Sequence, residues 1–350
     1  MTDDRYQPPP PVPGALRLHL NEHTGGCSPA VLDAVRRVTT EHAAYYPNYE
    51  PLLQDLAAYL GTDASTIAIT NGLDEGLLST VVAAFRPDAS SPGIPEAIVV
   101  PPAFEMYAIQ TRAVGGRVIS VPAREHFEFP IDEVLQAVTA RTRLVFLTNP
   151  NNPTGLLIPR ETIRRLARDV PARVTVVLDE AYYEFSGETF LPDLPAHANV
   201  VIGRTFAKAH GLAGMRAGCL IGHPERLEPI RNVIPTFNVS VLTAAGWRAA
   251  LADRAYLAAY QRQVAESKAL VYAFCERMKL EYWKSAGNFV LVRTGGDVPA
   301  LVTRLADRGV LIKDRSSEHG CEGCVRLTAG VVEHTRQALT AMEEILCAAR

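Results

Sequence analysis

Lysine is scarce in this 350-residue chain. It occurs five times, at 208, 268, 279, 284 and 313, while arginine carries the other 30 of the 35 basic charges. Other absences narrow the function further. No basic block is present and the net charge is −3, so nothing favours nucleic acid or a membrane surface as partner. No apolar run approaches the roughly 18–20 residues of a membrane span. The opening Met-Thr-Asp-Asp-Arg lacks the charged-then-apolar layout of a signal peptide, and a cytoplasmic location is the expectation. Six scattered cysteines (27, 219, 275, 321, 324 and 347) are expected as free thiols. The run His319-Gly-Cys321-Glu-Gly-Cys324 has no second cysteine pair at zinc-finger spacing, so it reads as a small-residue loop and no metal is expected.

What is present is an ordinary globular composition, 47% hydrophobic and 21% charged, in a chain long enough for one large α/β domain and a smaller one. Residues 7–14, rich in proline, read as an extended arm, either loose or lying across a partner subunit. After it, short β-branched runs at 67–70, 97–100, 118–121, 144–148, 175–178 and 200–202 alternate with helical patterns such as 73–85 and 131–138. Near-continuous apolar strands between helices predict a mostly parallel sheet covered on both faces. From 242 to 279 the period is helical. Strands at 289–292 and 325–328, with helices at 298–307 and from 332, then make a smaller α/β lobe.

In open α/β sheets, ligands bind beyond the carboxyl ends of the strands, and four loops there are chemically unusual. The first, Thr70-Asn-Gly72-Leu73-Asp74, is either a plain helix cap or a cup of backbone N–H groups for an anion. The second, Thr148-Asn149-Pro-Asn-Asn152-Pro-Thr-Gly155, carries more inward-capable asparagines than a turn needs. The third places Asp179 at the end of a buried strand, where a carboxylate is costly unless it meets a cation or caps the next helix. The fourth holds Lys208, with Thr205 three residues before and Arg216 eight after. Arginine stays charged in proteins, whereas a lysine amine can be unmasked as a nucleophile, and a hydroxyl and a guanidinium beside it suit a phosphorylated aldehyde. Lys268, Lys279 and Lys284 read as solvated surface.

The order Asn-Gly-x-Asp, Pro-x-Phe-x-Met-Tyr, Asn-Pro-Asn-Asn-Pro-Thr-Gly, Asp-Glu-Ala-Tyr, Lys-x-x-Gly-Leu-Ala-Gly-x-Arg-x-Gly and Val-Arg-Leu resembles the fold type I aminotransferases, and more closely the histidinol-phosphate aminotransferases. The likeness spans about 18–346. It implies a pyridoxal 5'-phosphate (PLP) enzyme of α/β class, with a large PLP-binding domain at 36–235, a small domain from 15–35 and 236–350, and the arm at 1–14. It also implies residue roles. Lys208 would bind PLP as a Schiff base and move the proton, and Asp179 would pair with the ring nitrogen. Asn152 and Tyr182 would hydrogen-bond the ring hydroxyl, and Phe104 would stack on the ring. The phosphate would be held by Gly72, Leu73, Asp74, Thr205 and Arg216, and by Tyr46 of a second subunit, which makes a homodimer the expectation. Arg326 would take the anionic group of the substrate, with Asn21 and Glu22 at the mouth of the site.

The chain departs from that pattern at several points. Ala207 replaces the serine that usually precedes the lysine, and Leu73 stands where Ser or Ala is usual. His23 follows Asn21-Glu22 where the family continues Asn-Pro-aromatic, and is either a packed residue or a substrate contact. Lys313 stands where an arginine for the substrate's phosphate is usual, keeping the charge without the planar fork. The implied activity is transfer of an amino group between an amino acid or amino alcohol phosphate and a 2-oxo acid, by ping-pong kinetics with glutamate as donor. A non-transferring PLP enzyme of the same subfamily, a decarboxylase, oxidase or cyclase of specialised metabolism, is the alternative, because the loops set the cofactor and not the bond that breaks. A PLP-binding transcription factor would need an attached DNA-binding domain, and only about 17 residues precede the matched region.

Overall fold

The computed structural model describes residues 12–86 and 93–348. Its centre is a seven-stranded sheet built from β2 (Ile67–Asn71), β3 (Glu96–Val99), β4 (Arg117–Ser120), β5 (Thr142–Thr148), β6 (Thr175–Asp179), β7 (Val200–Thr205) and β8 (Ala217–Gly222) in the order β2-β8-β7-β6-β5-β3-β4. A two-residue strand, β1 (Leu16–Arg17), precedes them in the chain and pairs elsewhere. All pairings within the large sheet are parallel except the two made by β8. The expected mostly parallel α/β sheet is therefore present. Its inner strands are largely apolar on both faces because helices cover both, and residues such as Val145, Val176, Val177 and Ile202 are fully buried, whereas the edge strand β4 is partly exposed. Each such side chain contributes about 1.5–3 kcal/mol of transfer free energy.

The later part of the chain forms an antiparallel sheet of β9 (Glu281–Tyr282), β10 (Phe289–Arg293), β12 (Lys313–Asp314) and β13 (Cys324–Thr328), while β11 (Val310–Leu311) pairs with β1. A core of its own lies beneath, joining Leu18 to Val271, Phe274, Val290, Leu327 and Met342. The helical stretch from 242 is two helices, Val241–Ala252 and Arg254–Met278. Asp253 divides them by accepting a hydrogen bond from Tyr256 N at 3.0 Å, which caps the second helix. Lys268 is not the solvated residue expected: it is half-buried and donates to Ser285 O at 2.7 Å. Cys321 and Cys324 are free and buried against Leu291, and the imidazole of His319 lies 3.2 Å from Ala123 O. The proline-rich arm lies outside the described residues except for its last three.

Register decides where the chemistry sits. Thr148 is opposite Asp179, Asp179 is opposite Gly203, and Thr205 and Thr70 are each opposite Gly218. The carboxyl ends of β2, β5, β6 and β7 thus meet at one edge of the sheet, where ligands bind in such folds. A buried ion pair, Arg204 to Glu180 at 2.7 Å, ties the ends of β6 and β7 together beside that edge.

Candidate active site

A cavity of about 620 Å³ opens at this edge, lined from the large sheet by Asp74, Phe104, Asn152, Asp179, Tyr182, Lys208 and Arg216, and from the other lobe by Lys313, Arg315 and Arg326. Lys208 projects into it from the loop after β7 and donates to Leu20 O at 2.8 Å. Burial first, and then the nearby Arg326 charge, pull its amine down to about 8. An amine so placed gives up its proton more readily than an ordinary lysine, which suits it to act as a nucleophile.

The loop after β2 is shaped by glycine. Gly72, at φ 74°, begins the helix Leu73–Ala84, and a Cβ there would lie 2.4 Å from Arg216 Nη2. Arg216, itself at φ 55°, lays its guanidinium over this helix start and pairs with Asp74 Oδ2 at 2.7 Å. Thr205 is buried close by, its hydroxyl accepting from Ala207 N at 3.2 Å. Leu73 is buried with its side chain in the apolar layer below. A helix N-terminus and a guanidinium, a pairing suited to an anion, thus meet here; of this group Asp74 and Arg216 line the cavity, while Gly72, Leu73 and Thr205 lie behind its wall.

Asp179 is buried at the end of β6. Its Oδ1 accepts from Ala181 N at 2.9 Å and its Oδ2 from the Tyr107 hydroxyl at 2.7 Å. Sequence reasoning expected a cation or a helix cap for this carboxylate; the protein supplies a tyrosine. Burial raises the carboxyl to about 6 while the two hydrogen bonds pull the other way. Tyr107 is fully buried, stacked on Phe146 at 4.8 Å, with its oxygen 2.7 Å from Thr148 Oγ1. Its motif, Pro-x-Phe-x-Met-Tyr, was visible in the sequence, but nothing there shows that the hydroxyl reaches a residue 72 positions on. Phe104 lines the cavity and meets the Tyr107 ring edge-on at 5.7 Å.

Tyr182 Oη accepts from Asn21 Nδ2 at 2.9 Å, and Asn21 adopts φ 55°. Asn152 Oδ1 accepts from the guanidinium of Arg326, whose Nη2 also donates to His19 O at 2.6 Å. Arg326 and Arg315 are both buried, and in each the Nε has no hydrogen-bond partner among the described residues. Arg315 was not singled out in the sequence. Lys313 faces the same cavity, half-buried. Glu22 pairs with Arg17 at 2.7 Å at the mouth. His23 turns away from the cavity: its ring stacks on Tyr260 at 3.3 Å, and burial pulls it down to about 4. Tyr46 is not brought to the site. It is exposed on the surface and stacks on Phe237 at 4.1 Å.

The residues fit PLP. The cup at Gly72 and Arg216 matches a phosphate, the depressed Lys208 amine an aldehyde, and the buried Asp179 a protonated pyridine nitrogen. The family model for aminotransferase class I and II matches residues 14–342. Histidinol-phosphate aminotransferase 1 of Thiobacillus denitrificans is 35% identical over 340 residues, 95% of this chain and 86% of that relative. The histidinol-phosphate aminotransferase of Anoxybacillus flavithermus is 31% identical over 95% of this chain and 88% of its own. Among solved structures, the histidinol-phosphate aminotransferase from Sinorhizobium meliloti in complex with pyridoxal-5'-phosphate superposes with a TM-score of 0.85 at 30% identity, covering 96% of this chain and 92% of that one. This chain belongs to the class I and II aminotransferases and is a PLP-dependent enzyme of fold type I.

Proposed function

We propose that this aminotransferase takes the amino group from a phosphorylated amino alcohol, histidinol phosphate being the leading candidate, and exchanges it with the glutamate/2-oxoglutarate pair in two half-reactions. The observation that carries this reading is the cluster of cations that the other lobe presents to the cavity, Arg315 and Arg326 buried and Lys313 half-buried, with the Arg326 Nε having no hydrogen-bond partner among the described residues. The names of the near-full-length relatives point the same way.

In this reading Lys208 binds the cofactor and carries the proton between substrate carbon and cofactor carbon, a task suited to an amine near 8. PLP supplies an electron sink when bound. Asp179 keeps the ring nitrogen protonated, Asn152 and Tyr182 hydrogen-bond the ring hydroxyl, and Phe104 covers a ring face. Gly72, Leu73, Asp74, Thr205 and Arg216 hold the phosphate, with Tyr46 contributed by a second copy of the chain. Arg326 and Lys313 take the anionic end of the substrate, while Asn21 and Glu22 shape the entrance. His23, packed on Tyr260, supports that loop and not the substrate.

The test is an absorbance scan of the PLP-loaded protein before and after glutamate and, separately, histidinol phosphate. Loss of the yellow band with both compounds is expected. A band that neither compound bleaches would sink the transamination reading for this pair and leave non-transferring chemistry. Lys208→Ala is expected to abolish the lysine-linked band and to lower turnover by several orders of magnitude.

A further inference from the structure

Thr328 ends β13, and Asn288 stands just before β10, whose Phe289 pairs with it. Both residues hold the stretch 18–21 that reaches Tyr182. Thr328 N donates to Leu18 O at 2.9 Å, and the single proton of its hydroxyl is shared between Leu18 O at 2.8 Å and Asn21 Oδ1 at 3.3 Å. The same hydroxyl accepts from Asn21 N at 3.1 Å, and Asn288 Nδ2 donates to Asn21 O at 3.1 Å. The backbone amide, the carbonyl and the side-chain oxygen of Asn21 are thus all committed to the other lobe. Only Nδ2 is left, and it donates to Tyr182 Oη at 2.9 Å. All of these side chains are buried. Asn21 adopts φ 55°, a left-handed conformation that asparagine tolerates better than most residues.

The direction of the last bond decides what Tyr182 can do. Because Asn21 donates, the Tyr182 oxygen accepts, and its own proton has no acceptor among the described residues. Tyr182 lines the active-site cavity, so that proton is free for a group bound there.

We propose that Thr328 is a positioning residue: by fixing Asn21 it commits the Tyr182 hydroxyl to donate its proton to the ring oxygen of the bound cofactor. The inference rests on the assignment of Tyr182 to the ring hydroxyl made above, and not on the identity of the amine substrate. Donation from Asn21 also strengthens Tyr182 as a donor, since hydrogen bonds in a chain polarise one another. A proton given to the ring oxygen draws negative charge away from the neighbouring lysine-linked nitrogen, which then sheds its own proton at a lower pH. Arg326, Asp179 and Arg315 face Tyr182 as charges, Arg326, Glu22, Asp74 and Arg216 face Lys208, and Arg17 and Lys313 line the same cavity. Replacing Thr328 alters none of them, so a shifted midpoint reports the hydrogen bonds.

The experiment follows the absorbance of the lysine-linked cofactor band against pH in the PLP-loaded wild type and in variants. Tyr182→Phe removes the donor and is expected to raise the midpoint by roughly one to two pH units. Thr328→Val is expected to raise it by roughly half to one unit, and Thr328→Ala serves if the valine variant fails to fold. Thr328→Ser restores the hydroxyl and should return the midpoint close to that of the wild type. Asn21→Gly keeps the left-handed backbone without the side-chain amide and should also raise the midpoint, with no further rise when Thr328→Val is added. If Tyr182→Phe shifts the midpoint and Thr328→Val does not, the proposal falls and the role of Tyr182 stands. Equal shifts in Thr328→Val and Thr328→Ser, or a Thr328→Val shift that adds in full to that of Asn21→Gly, would mean that Thr328 acts through packing, and would overturn the proposal as well. If Tyr182→Phe itself leaves the midpoint unmoved, the assignment of Tyr182 to the ring hydroxyl fails, and the proposal fails with it.

Discussion

A buried carboxylate that must face a cation has to stay ionised without one, and Asp179 shows how a protein arranges this. Burial favours its protonated form and holds the carboxyl up at about 6 against the opposing pull of the Tyr107 hydroxyl and the Ala181 amide. The sign has two consequences. Without cofactor, the raised value stabilises the fold below the ordinary carboxyl value near 4, and that contribution is lost as the pH rises through about 6. With cofactor, the ionised form is the useful one, so PLP retention is expected to weaken as the pH falls through about 6. Tyr107→Phe keeps the ring stacked on Phe146 and removes the donor. Because that hydrogen bond favours the carboxylate, its loss is expected to move the midpoint of retention upward by roughly one to two pH units. Equilibrium dialysis of PLP across pH 5–9 measures it, and an unmoved midpoint would mean that the Ala181 amide suffices alone.

Among the elements, β8 shows most clearly what the sequence does not disclose. The β-branched runs that become β2, β5, β6 and β7 have few other ways to be buried, and periodicity locates each to within a few residues. The six residues of β8, Ala-Gly-Cys-Leu-Ile-Gly, have neither alternation nor β-branching apart from one isoleucine, and they continue a glycine-rich loop. Their strand conformation comes from pairing with β2 and β7, not from local preference. The break at Asp253 is hidden for a similar reason, since a cap interrupts the chain without interrupting the apolar period. At the site, motif spacing locates Lys208 and Asp179, but Tyr107 and Arg315 gain their meaning only from contacts across the fold. Gly218, on β8, makes the pairing testable. A Cβ there would lie 2.6 Å from Leu73 N and 2.7 Å from Gly72 C, both backbone atoms that cannot rotate aside. Gly218→Ala is therefore expected to displace the start of the helix Leu73–Ala84, costing about 1–3 kcal/mol of stability. Thermal unfolding and PLP dissociation should worsen together, and a variant with normal values for both would show that the helix start yields freely.

For the whole molecule, the remaining question is what covers the aromatic surface at Tyr45, Tyr46 and Phe237, which are 70%, 77% and 49% exposed. Tyr46 and Phe237 stack on each other with their rings tilted by only 15°, a compact aromatic patch of the kind enriched at interfaces. Within one chain Tyr46 points at no cofactor. Its expected contact with the phosphate cup needs a second copy, and the cup itself is open: Asp74 and Arg216 remain 48% and 42% exposed. A homodimer in which each Tyr46 closes the other subunit's cup accounts for both features. Two substitutions separate assembly from contact. Phe237→Asp places a charge in the patch and is expected to shift the chain toward monomer in sedimentation, with PLP retention falling in parallel. Tyr46→Phe keeps the aromatic surface and should remain dimeric, but it loses a hydroxyl to the phosphate, so PLP is expected to dissociate roughly tenfold more readily. If Tyr46→Phe retained PLP as the wild type does while Phe237→Asp lost it, the second subunit would act by excluding water from the cup and not through this hydroxyl. If neither variant changed retention or assembly, each chain would hold its cofactor alone.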